Sequence, residues 1–171
     1  MTFSNVILVT TVTCTALMAG LFYSYSCSVV LGLKSLPDAN YIMAMQSINK
    51  AIQNPIFFIC FLGTLLLLPF NTYLNYSQPI PLKFWLFLAA TILYLAGVFC
   101  VTAFGNIPLN NALEKFNLLN ASAEATRLQR ISFEGRWNNL NTIRTFASIL
   151  SLILLIIGCI NSDKSQLAFS K

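Results

Sequence analysis

Long apolar runs separated by short polar segments are the main pattern along this chain. A helix needs about 20 mainly apolar residues to cross the roughly 30 Å hydrocarbon core of a bilayer. The segments that meet this requirement are residues 6–33, 55–75, 82–104 and 141–160. The pattern predicts an all-α integral membrane protein, a bundle of four transmembrane helices within a single domain over residues 1–171.

The boundaries of the predicted spans carry local signals. Asn54 can cap the second span, and Pro55 suits the first position of a helix. Pro81 precedes the third span, and the turn of residues 75–81 is short. Because a short turn joins antiparallel helices, we expect the second and third spans to be neighbours.

The other two connections are longer and differ in character. Within the connection 34–53, residues 37–53 predict an interfacial helix, since Tyr41, Met45, Ile48 and Ile52 share one helical face. Residues 105–140 hold seven of the fifteen charged residues, more than any other segment, and are expected to be partly helical. Within them, Asn106 is expected to cap a new helix with Pro108 in its first turn.

Composition agrees with a membrane protein and narrows its chemistry. The chain is 57% hydrophobic and 9% charged, whereas soluble domains are about 25% charged. It has no histidine, five cysteines within apolar runs and five scattered carboxylates. Because the usual ligands are missing, we expect no metal site and no cofactor. The net charge of +5 indicates lipid headgroups and topology rather than nucleic acid.

The distribution of lysine and arginine predicts the orientation. With four spans, the connections 34–53 and 105–140 lie on one side of the membrane, and both termini lie on the other. The first side, with the adjoining Arg144, carries seven basic residues, and the other carries three. Basic residues favour the cytoplasmic side, so both connections are predicted to be cytoplasmic.

A ladder of small residues runs along the first span at every fourth position. It consists of Ala16, Gly20, Ser24, Ser28 and Gly32. Small residues let helices approach closely, so we expect this face to point into the bundle and to pack there. An alternative role for Ser24 and Ser28 is to line a ligand pocket.

A polar seam marks the helix that leads into the last span. Its members recur at alternating spacings of three and four: Arg127, Arg130, Glu134, Trp137, Asn141, Arg144, Ser148 and Ser151. On one continuous helix these residues form a single face, which predicts contact with protein and a hydrogen-bonded network. The alternative is that Arg136 and Arg144 are anchors that reach the headgroups.

Polar residues from separate regions are predicted to meet at one end of the bundle. They are Asn49, Asn106, Asn110, Trp137, Asn141 and Arg144. Convergent polar groups in an otherwise apolar protein are typical of a ligand site.

Four blocks of sequence resemble a known family in the right order. They are Ala19-Gly20-Leu21-Phe22-Tyr23-Ser24-Tyr25-Ser26, then Leu36-Pro37-Asp38 with Ala44-Met45-Gln46-Ser47-Ile48-Asn49 and Asn54-Pro55, then Asn106-Ile107-Pro108-Leu109-Asn110, and finally the stretch from Arg136 to Thr145. Together they resemble the anthrone oxygenase-like family of small four-span membrane proteins. The resemblance covers about residues 16 to 155 and implies a four-helix membrane fold.

The resemblance also implies a candidate reaction, which is oxidation of an anthrone to an anthraquinone by O2 without a cofactor. In this hypothesis, Arg144 or Arg136 stabilises the substrate anion, and Trp137 stacks on its rings. The residues expected to hold substrate oxygens are Asn49, Asn106, Asn110 and Asn141. The alternative is a non-enzymatic protein that binds or carries a lipophilic aromatic molecule, or an assembly partner. Assembly of several copies in the lipid bilayer is open in both hypotheses.

Overall fold

A computed structural model describes residues 2–168, with side chains as far as residue 161, and this part of the chain contains helices and no strand. The helices are α1 (Phe3–Lys34), α2 (Asp38–Ala51), α3 (Pro55–Leu74), α4 (Leu82–Glu114) and α5 (Ala123–Ala168). A short 3₁₀ turn, Leu118–Asn120, lies between α4 and α5. Helices α1, α3, α4 and α5 are long and apolar enough to cross a membrane, which confirms the predicted fold class.

The start of α3 follows the predicted capping pattern. The side-chain oxygen of Asn54 accepts a hydrogen bond from the backbone N–H of Phe57 at 3.0 Å, and Pro55 occupies the first helical turn. The helix then continues through Pro69 to Leu74. The predicted interfacial helix is also present as α2.

The helices that carry the third and fourth predicted spans extend beyond those spans, as the expected helix within residues 105–140 requires. Helix α4 continues beyond Phe104 to Glu114, and α5 begins at Ala123 rather than near residue 141. Asn106 has helical backbone angles, φ −69° and ψ −41°, and its side chain caps nothing, contrary to prediction. Two π-helical stretches, Leu95–Cys100 and Thr102–Asn106, lie within α4 without ending it.

Helix α2 covers one end of the four-helix bundle. Its buried residues Tyr41, Ile42 and Met45 pack against Leu113 of α4 and Phe133 of α5. The Gln46 side chain donates hydrogen bonds from Nε2 to the backbone carbonyls of Leu113 and Phe116, at 2.9 and 3.1 Å. These bonds satisfy carbonyls at the end of α4 and hold α2 in place.

Arg130 ties the turn between α1 and α2 to α5. Its guanidinium donates to the carbonyls of Lys34 at 3.0 Å and Leu36 at 2.7 Å. It also forms ion pairs with Asp38 at 3.0 Å and Glu134 at 2.7 Å. This half of the polar seam therefore has a structural role, with every charge paired.

Helices α4 and α5 approach closely at two glycines. A Cβ added at Gly97 would lie 2.4 Å from the Cβ of Ala147, and one added at Gly105 would lie 2.9 Å from Cδ1 of Leu140. Since real Cβ atoms do not approach this closely, position 97 requires glycine, whereas at Gly105 the end of the flexible Leu140 side chain can shift.

The small-residue ladder of α1 does not face the bundle, contrary to prediction. Gly20, Ser24 and Ser28 are exposed, and the buried face of α1 consists of Thr11, Thr15, Met18, Ala19 and Phe22. The two faces are offset by two or three residues, which places them on different sides of a helix with 3.6 residues per turn. Lipid-facing and packed positions of this helix are both apolar, so the sequence pattern does not separate them.

We predict that Gly97→Ala destabilises the bundle by about 1–3 kcal/mol, because α4 and α5 must separate to admit the methyl group. Gly20→Ala is the matched control, since nothing lies within 4 Å of a Cβ added there. Thermal unfolding in detergent should show a lower midpoint for Gly97→Ala alone. Equal midpoints for the two variants would contradict the close approach.

Candidate functional site

A cavity of about 190 Å³ lies at the end of the bundle that α2 covers. All of the first four helices and α5 contribute to its wall. The lining residues are Leu21, Phe22, Tyr25, Asn49, Ile52, Gln53, Phe57, Phe58, Phe61, Thr102, Asn106, Ile107, Asn110, Asn111, Trp137, Asn141 and Arg144. The lining combines aromatic residues with asparagines and one arginine.

Helix lengths place the cavity near the edge of the hydrocarbon core. Helix α3 has 20 residues, so it is about 30 Å long and spans the core once. Its first two turns, with Phe57 and Phe61, line the cavity. Thr102, which also lines it, lies about 30 Å along α4 from Leu82 at a rise of 1.5 Å per residue. On these lengths, the cavity is expected to extend across the edge of the apolar layer on the side of α2, because Asn106 to Asn111 lie beyond Thr102 along α4.

Arg144 is buried in the cavity wall without an acidic partner. The residue is 7% exposed. Its guanidinium donates to Asn141 Oδ1 at 2.9 Å and to Thr102 Oγ1 at 3.4 Å, and its Nε has no partner. The group also lies over the rings of Phe22 and Trp137, at 4.6 and 5.4 Å. Among the described residues, no carboxylate lies within ion-pair distance of it.

The contrast with Arg130 shows what this arrangement favours. Both arginines lie on the same face of α5 and both are buried, but Arg130 has two carboxylates and two carbonyls as partners. An arginine side chain stays charged in proteins, and a buried charge without a counterion is costly. Arg144 therefore creates a positive potential that favours an anionic or strongly polar oxygen in the cavity.

A hydrogen-bonded network holds Arg144 in place. Asn141 accepts from Arg144 and donates to Ser26 Oγ at 2.9 Å and to the Phe22 carbonyl at 3.3 Å. The hydroxyls of Ser26 and Thr145 are 3.1 Å apart. These contacts join α5 to α1 where the π-helical stretch Tyr25–Val29 begins. The network predicted for the seam is thus present.

Two buried asparagines keep unpaired polar atoms in the cavity wall. Asn106 is 1% exposed, and neither of its side-chain atoms has a hydrogen-bond partner. Nδ2 of Asn49, a residue 6% exposed, also lacks a partner. Each unpaired buried group costs about 1–3 kcal/mol. Together the two residues offer two amide nitrogens as donors and one amide oxygen as an acceptor to a bound molecule.

The structure brings together most of the predicted site residues but not all of them. Those that line the cavity are Asn49, Asn106, Asn110, Trp137, Asn141 and Arg144. Asn110 accepts a hydrogen bond from the Trp137 indole at 2.9 Å, so it orients that ring.

The other three predicted site residues do not line the cavity. Arg136 lies in a separate shallow depression with Phe104, Pro108 and Leu140. Ser24 and Ser28 are exposed, and the Ser24 hydroxyl donates to the Leu21 carbonyl of its own helix at 2.9 Å.

The aromatic wall was not predicted from the sequence. Phe22, Tyr25, Phe57 and Phe61 line the cavity, and Tyr25 lies 5.2 Å from Trp137 between ring centroids. Apolar aromatics in a membrane helix look alike whether they face lipid or a cavity. Phe22 and Tyr25 do occur in the first sequence block, and their spacing of three places them on one face, which was the available signal.

Fold and cavity together define a class of protein: a four-span integral membrane protein with a charged, aromatic cavity at one end of its bundle. The family model for anthrone oxygenase matches residues 42–154, which is more than half of the chain. The chain belongs to this family, which confirms the resemblance. The matched segment includes every cavity residue outside α1. Comparisons with curated proteins and with solved structures give no match.

We predict opposite stability effects at the two buried arginines. Arg144→Met should stabilise the protein by at least about 1 kcal/mol, because it removes an unpaired buried charge while keeping an unbranched side chain. Arg130→Met should destabilise it, because Asp38 and Glu134 lose their partner. Thermal unfolding of both variants in the same detergent tests this. A loss of stability at Arg144 as large as that at Arg130 would mean that Arg144 is structural.

Proposed function

We propose that the cavity binds a flat, lipophilic, anthrone-like phenol and supports its oxidation by O2. The observation that carries this proposal is Arg144, a buried guanidinium without a counterion in an aromatic cavity. An anthrone is acidic at the carbon between its two aromatic rings, and its anion reacts with oxygen directly. A cation at the cavity wall lowers the free energy of that anion.

The reaction balances without an external reductant. The substrate loses a proton from its ring CH2 group, and the resulting carbanion passes one electron to O2. The substrate radical and superoxide then combine, with a proton, to a hydroperoxide on that carbon. Loss of water leaves a carbonyl, so one oxygen atom enters the product and the other leaves as water. All four electrons that reduce O2 come from the substrate.

The residues of this chain take separate roles in the proposal. Arg144 stabilises the negative charge of the anion, and Asn141 positions its guanidinium through the 2.9 Å hydrogen bond. Asn49 and Asn106 provide their unpaired atoms to oxygen substituents. Trp137 and Phe22 contact the rings and also stack against Arg144, which keeps the charge at the edge of the aromatic system.

The proton is proposed to leave to water. The cavity lining contains no carboxylate and no imidazole. The site therefore acts by making the bound substrate more acidic rather than by supplying a base. Its volume of about 190 Å³ is below the 300–1,000 Å³ of pockets for drug-sized ligands, so it suits a compact ring system.

The missing base also favours a second candidate, a non-enzymatic protein that binds or carries the same kind of molecule. A carrier needs the aromatic wall, the cation and the asparagines, but no group that moves a proton. Oxygen consumption distinguishes the two candidates, because a carrier consumes none. An anthrone should raise the thermal stability of a carrier equally in anaerobic and in aerobic buffer.

We also propose that the cavity end of the bundle lies on the cytoplasmic side. The connections 34–53 and 105–140, which surround it, hold most of the lysines and arginines. Residues of both connections pack together, as Tyr41 does with Phe133, so they lie on one side of the membrane. A reporter fused after α5 should then be found on the opposite side.

Purified protein in detergent is expected to consume oxygen when a hydroxyanthrone is added. Arg144→Gln should lower kcat by about 10²–10³-fold, the usual cost of removing one donor to a developing oxyanion. Arg127→Gln is the matched control, because Arg127 lies on the same helix, is exposed and pairs with Glu124. An oxygen electrode measures the rate, and an unchanged rate for Arg144→Gln would contradict the assigned role.

The pH dependence of the reaction gives an independent test. The positive charge of Arg144 lowers the pKa of the bound substrate, so the rate should rise as pH increases through that pKa. In Arg144→Gln the substrate is less acidic, and the same rise should occur at higher pH. The measurement is a profile of kcat against pH for each protein, with the uncatalysed rate at the same pH subtracted. Coincident profiles would show that Arg144 does not act on the substrate's ionisation.

A further inference from the structure

The wall of the cavity is open on one side only. Toward water, α2 covers the cavity with Asn49 and Ile52, and it is fixed there by Gln46 and Arg130. Toward the middle of the bundle, the tightly packed core around Phe61 closes it. The lining residues that are exposed all lie between the start of α3 and the last turns of α4: Gln53, Phe58, Ile107 and Asn111. These four residues form the mouth of the cavity.

The mouth is apolar toward the membrane and polar toward water. Phe58 is 42% exposed and lies in the first turn of α3, just inside the hydrocarbon layer. Ile107 is 46% exposed on the opposite edge of the mouth, in α4. Gln53 precedes α3, and Asn111 lies one turn beyond Ile107, toward the end of α4. At 1.5 Å per residue, Ile107 lies about 37 Å along α4 from Leu82, just beyond the apolar layer. The mouth therefore opens at the boundary between the acyl chains and the headgroups, with Phe58 on the acyl side.

We propose that the ligand enters and leaves the cavity sideways from the bilayer, between Phe58 of α3 and Ile107 of α4. This inference rests on the proposed function, in which the ligand is a flat lipophilic molecule. Such a molecule concentrates in the membrane, at the depth where the mouth opens. Helix α2 is held in place by hydrogen bonds and ion pairs, so entry past α2 would require those contacts to break. Entry past Phe58 and Ile107 leaves that helix in its position. The gap between these two side chains then limits the width of the molecules that can enter.

Tryptophan fluorescence can follow entry directly. The chain has two tryptophans: Trp137 lines the cavity, and Trp85 is 52% exposed near the other end of α4. In a Trp85→Phe background, Trp137 is the single reporter. The full chain is placed in phospholipid nanodiscs, and a dihydroxyanthraquinone, a product-like probe, is added by rapid mixing. Quenching of Trp137 then reports the arrival of the probe in the cavity.

Ile107→Tyr is expected to narrow the mouth and to slow quenching by about tenfold, which corresponds to about 1.4 kcal/mol on the entry barrier. The equilibrium dissociation constant should stay nearly unchanged, because entry and exit use the same path. Ile107→Ala should quench faster than the parent, which keeps the test decisive if the tyrosine variant does not fold. Ile59→Tyr is the matched control, since Ile59 is 68% exposed on α3 and lies outside the cavity lining.

Two results would overturn the lateral route. One is equal quenching rates for Ile107→Tyr, Ile107→Ala and Ile59→Tyr. The other is slowing by Asn111→Tyr without slowing by Ile107→Tyr, which would indicate entry from water. Quenching without oxygen consumption would support the route while contradicting the oxidation. An absence of quenching in the parent protein would contradict both the route and the binding of this class of ligand.

Discussion

The buried charge of Arg144 is the constraint on which the cavity depends. A guanidinium at the edge of the hydrocarbon layer is stable only if protein groups surround it, and here they do so incompletely. Asn141 and Thr102 take two of its donors, and two aromatic rings cover its faces. The remaining positive potential is directed at the cavity. A bound anion would supply the missing counterion. Part of the free energy that burying Arg144 costs on folding would then be recovered when a ligand binds.

The two halves of the polar seam, one around Arg130 and one around Arg144, differ in how their charges are paired. Near Arg130, every charge is paired, and the result is a fixed cover over the bundle. Near Arg144, the charge has no counterion among the described residues, and the result is a polar cavity wall. The same helix thus uses one arginine to hold the cover in place and another to line the cavity.

The sequence was informative wherever a residue type is costly in lipid. Arg144 and Asn141 have no stable position facing acyl chains, so their spacing along α5 predicted an inward face and a network, and both are present. It was uninformative wherever a residue is tolerated on both faces. Ser24 and Ser28 satisfy lipid-facing positions as well as packed ones, and Phe57 or Phe61 could equally have faced lipid. Hydropathy likewise predicted a span that ends near Phe104 but not the continuation of α4 to Glu114.

The unbroken course of α5 has a consequence for how this part of the chain can vary in length. Each residue turns a helix by about 100°. One residue inserted between Arg130 and Arg144 would leave the first arginine on its ion pairs and swing the second toward acyl chains. The spacing of the two is thus fixed by geometry, even where the intervening side chains are free to differ. In the loop between α4 and α5, Phe116 and Leu118 are held by contacts with α2, whereas Leu119 is 96% exposed. Changes in length are therefore expected to be tolerated at residues 119–121.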